Sequence, residues 1–89
     1  MDINAVIWDL PDDPDGNIAH IEEHGLTVDD VEDVLLNPQN EVDWSHSSSR
    51  LVTFGFTSTD LYIAVVWELV EEVPLTARPV TAYEVPEPR

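Results

Sequence analysis

Two short amphipathic segments lie in the first half of the chain, and the first has the spacing of a helix. Ile18 and Ile21 recur at helical distance between polar neighbours, which is typical of a helix that buries one face. The pattern predicts a helix from Pro14 to His24, with Asp13 as the N-cap residue. Gly25 follows at once and favours the left-handed backbone conformation that ends many helices.

The second segment carries a more complete set of helix signals. Thr27 is a preferred N-cap residue, and Asp30 stands three positions later, where an acidic side chain can complete a capping box. Leu26 and Val31 have the spacing of a hydrophobic staple. The helix ends at Asn37-Pro38, because proline cannot continue it. The sequence therefore predicts two consecutive helices joined by a very short connection.

The remaining sequence has the alternation and the short apolar runs of β-strands. Leu61 to Trp67 is almost uninterrupted apolar sequence, which favours a central strand covered on both faces. Pro79 has no N–H group to donate, so the last strand either begins there or turns that position outward. Short connections favour an antiparallel meander. The predicted strands are Ile3 to Trp8 before the helices, and Glu41 to Trp44, Arg50 to Thr57, Leu61 to Leu69 and Ala77 to Val85 after them.

The order of these elements predicts an α+β fold. An N-terminal strand and two consecutive helices precede a four-stranded antiparallel meander, which forms one sheet with the helices packed on one face. With 89 residues, the chain is a single domain that buries about 60–65% of the surface exposed by its unfolded form. Residues 84–89 form an acidic, proline-rich tail, which we expect to be frayed.

Charge is the outstanding feature of the composition. The chain has 19 acidic residues, three arginines and no lysine, which gives a formal net charge of −16. Such a surface repels RNA, DNA and anionic membranes and attracts basic partners. The same acidity fits adaptation to a high-salt environment, and the sequence leaves both explanations open.

The second predicted helix concentrates this charge on its exposed face. Asp29, Asp30, Glu32 and Asp33 lie within five positions, and no cation follows one helical turn later. Early carboxylates suit the positive end of the helix dipole, but four of them exceed what capping needs. These four side chains are the candidate surface for binding a basic partner.

The chain has no cysteine, which excludes a disulfide framework, a thiolate metal site and a thiol nucleophile. No basic start followed by an apolar run is present, and the most apolar stretch is interrupted by Glu68. We therefore expect a cytoplasmic protein that does not span a membrane and uses no cofactor. His20-Ile-Glu-Glu-His24 matches the inverted zinc-protease string. A protease of that class needs a larger chain and further ligands, so we assign no metal site.

A set of residues spread along nearly the whole chain forms a pattern. It consists of Trp8-Asp9, Asn17, His24-Gly25, Asp29 to Leu36 with Asn37-Pro38, Arg50, Gly55, Thr57, Val65-Val66-Trp67 and Thr81-Ala82. In order and spacing this set resembles the BrnT-type toxins of the broad RelE/ParE superfamily. The resemblance implies the fold of those toxins, an activity of RNA cleavage, and a cognate antitoxin encoded beside the toxin.

The resemblance also implies candidate catalytic residues. Cleavage of RNA without a metal drives the ribose 2′-OH onto the adjacent phosphate, which requires cations at the phosphorane and groups that move protons. Arg50 and Arg78 stand where family arginines stand and are candidate phosphate ligands, with Tyr83 or His46 as proton carriers. The alternative is that both arginines pair with the abundant carboxylates. Glu23 and Tyr83 occupy positions where the family has basic residues, and no basic helix follows the last strand.

Two functions follow as hypotheses. The first is a BrnT-like protein of a type II toxin–antitoxin system with weak or lost ribonuclease activity, which binds an antitoxin or another basic protein, and RNA only if it is active. The second is a non-enzymatic acidic module that docks a basic protein or mimics nucleic acid. The sequence specifies no oligomeric state for either.

Overall fold

The computed structural model describes residues 2–45 and 50–88 and has an α+β fold with two helices and a five-stranded mixed sheet. The sheet has the strand order β1-β5-β4-β3-β2. The helices are α1 (Asn17–Glu23) and α2 (Val28–Leu35), and the strands are β1 (Ala5–Val6), β2 (Val42–Ser45), β3 (Arg50–Phe56), β4 (Tyr62–Glu71) and β5 (Thr76–Glu84).

The structure corrects the predicted sheet. Strands β2 to β5 pair antiparallel in chain order, but the sheet is not a four-stranded meander, because β1 joins it beside β5 and runs parallel to it. Ala5 pairs with Thr76, and Val6 pairs with Ala77. This pairing joins the two ends of the chain across some seventy residues, and the apolar pattern of a two-residue strand does not specify such a distant partner.

The prediction that β4 is central is confirmed, but among the described residues helices pack on one of its faces and not on both. It is the third of five strands, and Ile63, Val65 and Trp67 are fully buried on the face that meets the helices. The indole N–H of Trp67 donates to the Thr53 hydroxyl on β3 at 2.8 Å, so the polar atom of this buried ring has a partner.

The first helix begins later than its sequence predicts. Its N-cap residue is Gly16 and not Asp13. Asp13 instead accepts a hydrogen bond from the Asp15 N–H at 2.9 Å, a local turn that competes with helix initiation. The predicted end is confirmed, since Gly25 has a φ of +77°.

The predicted start of the second helix is also confirmed. Thr27 and Asp30 form a reciprocal capping box, and the staple residues Leu26 and Val31 are both buried. Helix α1 packs on β5, and α2 packs on β3 and β4. No helix of the described chain covers the opposite face of the sheet, which we call the open face.

Candidate functional site

The two candidate phosphate ligands lie in one row across the open face. Leu51 pairs with Trp67, which places Arg50 beside Glu68 on β4, and Glu68 in turn pairs with Arg78 on β5. The sheet therefore brings both arginines to the same strand neighbour, with one carboxylate between them.

Both arginines are engaged by carboxylates. Arg50 forms an ion pair with Glu68, with 3.6 Å between Nε and Oε1. Arg78 donates from Nη2 to Asp9 Oδ2 at 2.7 Å, a shorter and charge-assisted hydrogen bond. The structure thus has the arrangement in which the arginines pair with carboxylates and connect neighbouring segments.

Asp9 belongs to a polar network that ties the end of β1 to the start of α1. Its Oδ2 also accepts the Asn17 N–H, and its own N–H donates to Asn17 Oδ1, both at 2.9 Å. The buried Asn17 amide donates to the carbonyls of Ile7 and Pro79. The hydrogen bond from the Asn17 N–H, followed by the one from Arg78, holds the pKa of the Asp9 carboxyl below its ordinary value of 3.8.

The candidate proton carriers do not join this row. Tyr83 pairs with Ala64, four residues before Glu68 on β4, so its backbone lies about 13 Å along the sheet from the arginines. Its ring contacts His24, with 6.1 Å between the ring centroids. His46 lies outside the described residues. Among the described candidates, the structure therefore brings Arg50 and Arg78 together, each already paired with a carboxylate. It places no candidate proton carrier beside them.

The acidic face of α2 is less free than the sequence indicates. Asp30 completes the capping box with Thr27. Glu32 accepts the Trp8 indole N–H, and Asp33 accepts the Ser58 backbone N–H, each at 3.0 Å. Asp29 alone of the four has no such bond within the described chain. None of the four carboxylates is buried, and Asp30, Glu32 and Asp33 also have hydrogen-bond partners within the fold. That this face binds a basic partner stays a prediction.

A shallow groove nevertheless runs along this face. It has a volume of about 480 Å³ and contains three of the candidate carboxylates, Asp29, Glu32 and Asp33. Leu36, Asn37 and Ser58 complete its lining. The groove combines negative charge with an exposed apolar side chain, which suits a basic, partly apolar surface.

His20 in α1 and His24, the C-cap residue of that helix, make other contacts in the fold. His20 Nδ1 lies 3.4 Å from the Val80 carbonyl on β5, and His24 contacts Tyr83. Over residues 2–45 and 50–88, no three His, Asp or Glu side chains are placed to hold a metal ion together. The same residues include no helix long and apolar enough to cross a membrane.

Sequence reasoning missed the roles of Asp9 and Asn17. Both belong to the residues that carry the family resemblance, and Asn17 is an asparagine at the start of an amphipathic helix, which was the available signal. Their partners on β5 lie more than sixty residues away, and that separation concealed the network. Comparisons with protein-family models, curated proteins and solved structures find no match to this chain.

Proposed function

We propose that this chain is a BrnT-like toxin-fold protein with weak or lost ribonuclease activity, which acts in the cytoplasm by binding a cognate antitoxin or another basic protein. The observation that carries the proposal is the pairing of Arg50 with Glu68 and of Arg78 with Asp9. The order of strand, two helices and four strands supports the toxin-like fold.

The ion pairs of Arg50 and Arg78 oppose RNA cleavage for a physical reason. A phosphorane needs cations whose hydrogen bonds are directed at the developing charge. Here Arg78 already donates to Asp9 at 2.7 Å, and Arg50 lies 3.6 Å from Glu68 in a more exposed ion pair, so a phosphate would compete with a carboxylate at each guanidinium. Two cations also contribute little to RNA affinity, which comes from many basic contacts, on a chain with a net charge of −16.

Purified protein incubated with single-stranded RNA at low and at molar salt tests the loss of activity. We expect at most slow cleavage, close to the rate of a protein-free control, at both salt concentrations. Cleavage as fast as that of an ordinary ribonuclease toxin, abolished in both Arg50→Ala and Arg78→Ala, would contradict the proposal, because it would show that the paired arginines still serve a full reaction. Glu72→Gln, an exposed change on the turn after β4, is the control for altered surface charge.

A second candidate function is an acidic docking module without a toxin ancestry. The groove of about 480 Å³ on α2 favours it, since a basic partner would be attracted at long range and held by salt-sensitive contacts. A lysine-rich peptide whose affinity falls with salt, and falls further in Asp29→Asn than in Asp12→Asn, would support this function. Equal affinity in all three proteins would exclude the groove as its site.

A further inference from the structure

A second groove lies at the end of the open face, on the loop between α2 and β2. Its volume is about 310 Å³. Three aromatic side chains and one carboxylate give it its character, namely Phe54, Phe56, Tyr62 and Glu41. We call it the aromatic groove.

The three rings form a cluster because of the strand register. Phe54 and Phe56 alternate with the buried Gly55, so both point away from the helices, and Phe56 pairs with Tyr62 on β4. Tyr62 lies 4.8 Å from Phe56 and 6.5 Å from Phe54, measured between ring centroids. Phe56 is 46% exposed, so solvent reaches the ring cluster.

The negative charge and the rings of the aromatic groove favour a cationic ligand. Glu41 immediately precedes β2, whose first residue Val42 pairs with Thr53, so Glu41 lies next to Phe54. No cation lines the groove in the described chain, and both described arginines lie elsewhere in ion pairs. Ring faces attract cations, and the carboxylate adds a direct partner for one.

We propose that the aromatic groove binds an arginine side chain presented by a basic segment of a partner protein. The inference rests on the proposed function in that it specifies how a basic partner is recognised. A guanidinium is flat enough to stack on Phe56 or Tyr62 while it donates to the Glu41 carboxylate, and an ammonium cannot do both in one plane. The net charge of −16 attracts such a segment and repels the phosphates of an RNA.

The test is a titration of the full chain, carrying ¹³C-labelled aromatic rings, with a synthetic glycine–serine peptide that contains two arginines. We expect saturable shifts of the Phe54, Phe56 and Tyr62 ring signals. Phe56→Leu should weaken binding by about two- to fivefold, as loss of an exposed cation–π contact implies. Glu41→Gln should also weaken it and should reduce its salt dependence.

Matched changes separate the groove from general charge and surface effects. Tyr83→Leu removes a ring of similar exposure, 39%, outside the groove, and Glu72→Gln removes one carboxylate elsewhere. Both should bind like the wild type, and a citrulline peptide should not bind.

The proposal is overturned if the arginine peptide causes no ring shifts, if the control variants weaken binding as much as Phe56→Leu, or if single-stranded RNA shifts the same rings. The titration uses no RNA cleavage and no antitoxin. The proposed loss of ribonuclease activity is therefore decided separately by the cleavage assay.

Discussion

Asn17 closes the sheet edge that β1 leaves open. Strand β1 pairs only with the first part of β5. The Pro79 carbonyl lies beyond this pairing, and its donor is the Asn17 side chain at the start of α1. The Asn17 amide donates to that carbonyl at 2.9 Å and to the Ile7 carbonyl at 3.1 Å. One buried side chain thus satisfies a carbonyl of β5 and a carbonyl of the segment just after β1, at the point where α1 begins.

Replacement of this amide should therefore be costly. We expect Asn17→Ala to lower the free energy of unfolding by about 2–4 kcal/mol, because two carbonyls lose their donor in a buried setting. Urea unfolding followed by tryptophan fluorescence measures the change. Asn4→Ala, at an exposed asparagine, is the control and should change stability by less than about 0.5 kcal/mol. Equal losses in the two variants would refute this role for Asn17.

Asp9 makes the stability of the fold depend on pH in the acid range. Its pKa is lowered in the folded chain by Asn17 and then by Arg78, so its contribution is complete above the ordinary value of 3.8 and is lost as the pH falls through the lowered value. We expect Asp9→Asn to be less stable than the wild type at pH 7, with a gap that narrows below about pH 3.8. Urea unfolding at pH 7, 4 and 3 checks this, with Asp12→Asn as control. A gap that stays constant down to pH 3 would show that ionisation of Asp9 is not the cause.

At the scale of elements, the loop after α2 lies against β3, with the Asn40 amide close to Gly55. The Asn40 amide donates to the Val34 carbonyl at 2.8 Å, which satisfies a carbonyl in the last turn of α2. The same amide lies against Gly55, where a Cβ atom would collide with it. A larger residue at this position would therefore displace the Asn40 amide, and the reason is space and not backbone conformation.

We expect Gly55→Ala to destabilise the fold by about 1–3 kcal/mol, since the Asn40 amide must move and leave the Val34 carbonyl without a donor. In an Asn40→Ala background the new methyl group has room, so the same change should cost much less. Thermal unfolding of the two single variants and the double variant measures this coupling. Strictly additive losses would show that the collision with Asn40 is not the origin of the effect.

These elements show why some features follow from sequence and others do not. The capping box of α2 is predictable because Thr27 and Asp30 stand within one turn and need no distant partner. The start of α1 is not predictable in the same way, because the Asp13 carboxylate accepts the Asp15 N–H instead of capping the helix. Glu32 and Asp33 have the pattern of a solvated face, yet their partners Trp8 and Ser58 are brought to them only by the tertiary fold.

At the scale of the whole molecule, the acidic residues and the described arginines differ in where they lie. The carboxylates are spread over both helices, the loops and the strands, whereas both described arginines lie in one row of the open face with Glu68 between them. The sequence alone predicts that these arginines would find carboxylates, because acidic residues outnumber arginines 19 to three. It does not identify Asp9 as the partner of Arg78, since that pair forms only when β1 reaches β5.

We propose that the paired arginines leave the chain without a working phosphate site. Fluorescence anisotropy of a labelled single-stranded RNA, titrated with wild-type protein at low and at molar salt, tests it most directly. We expect no saturable binding at either salt concentration. Saturable binding at low salt that weakens as salt rises, and that is lost when Arg50 and Arg78 are both replaced by alanine, would contradict it.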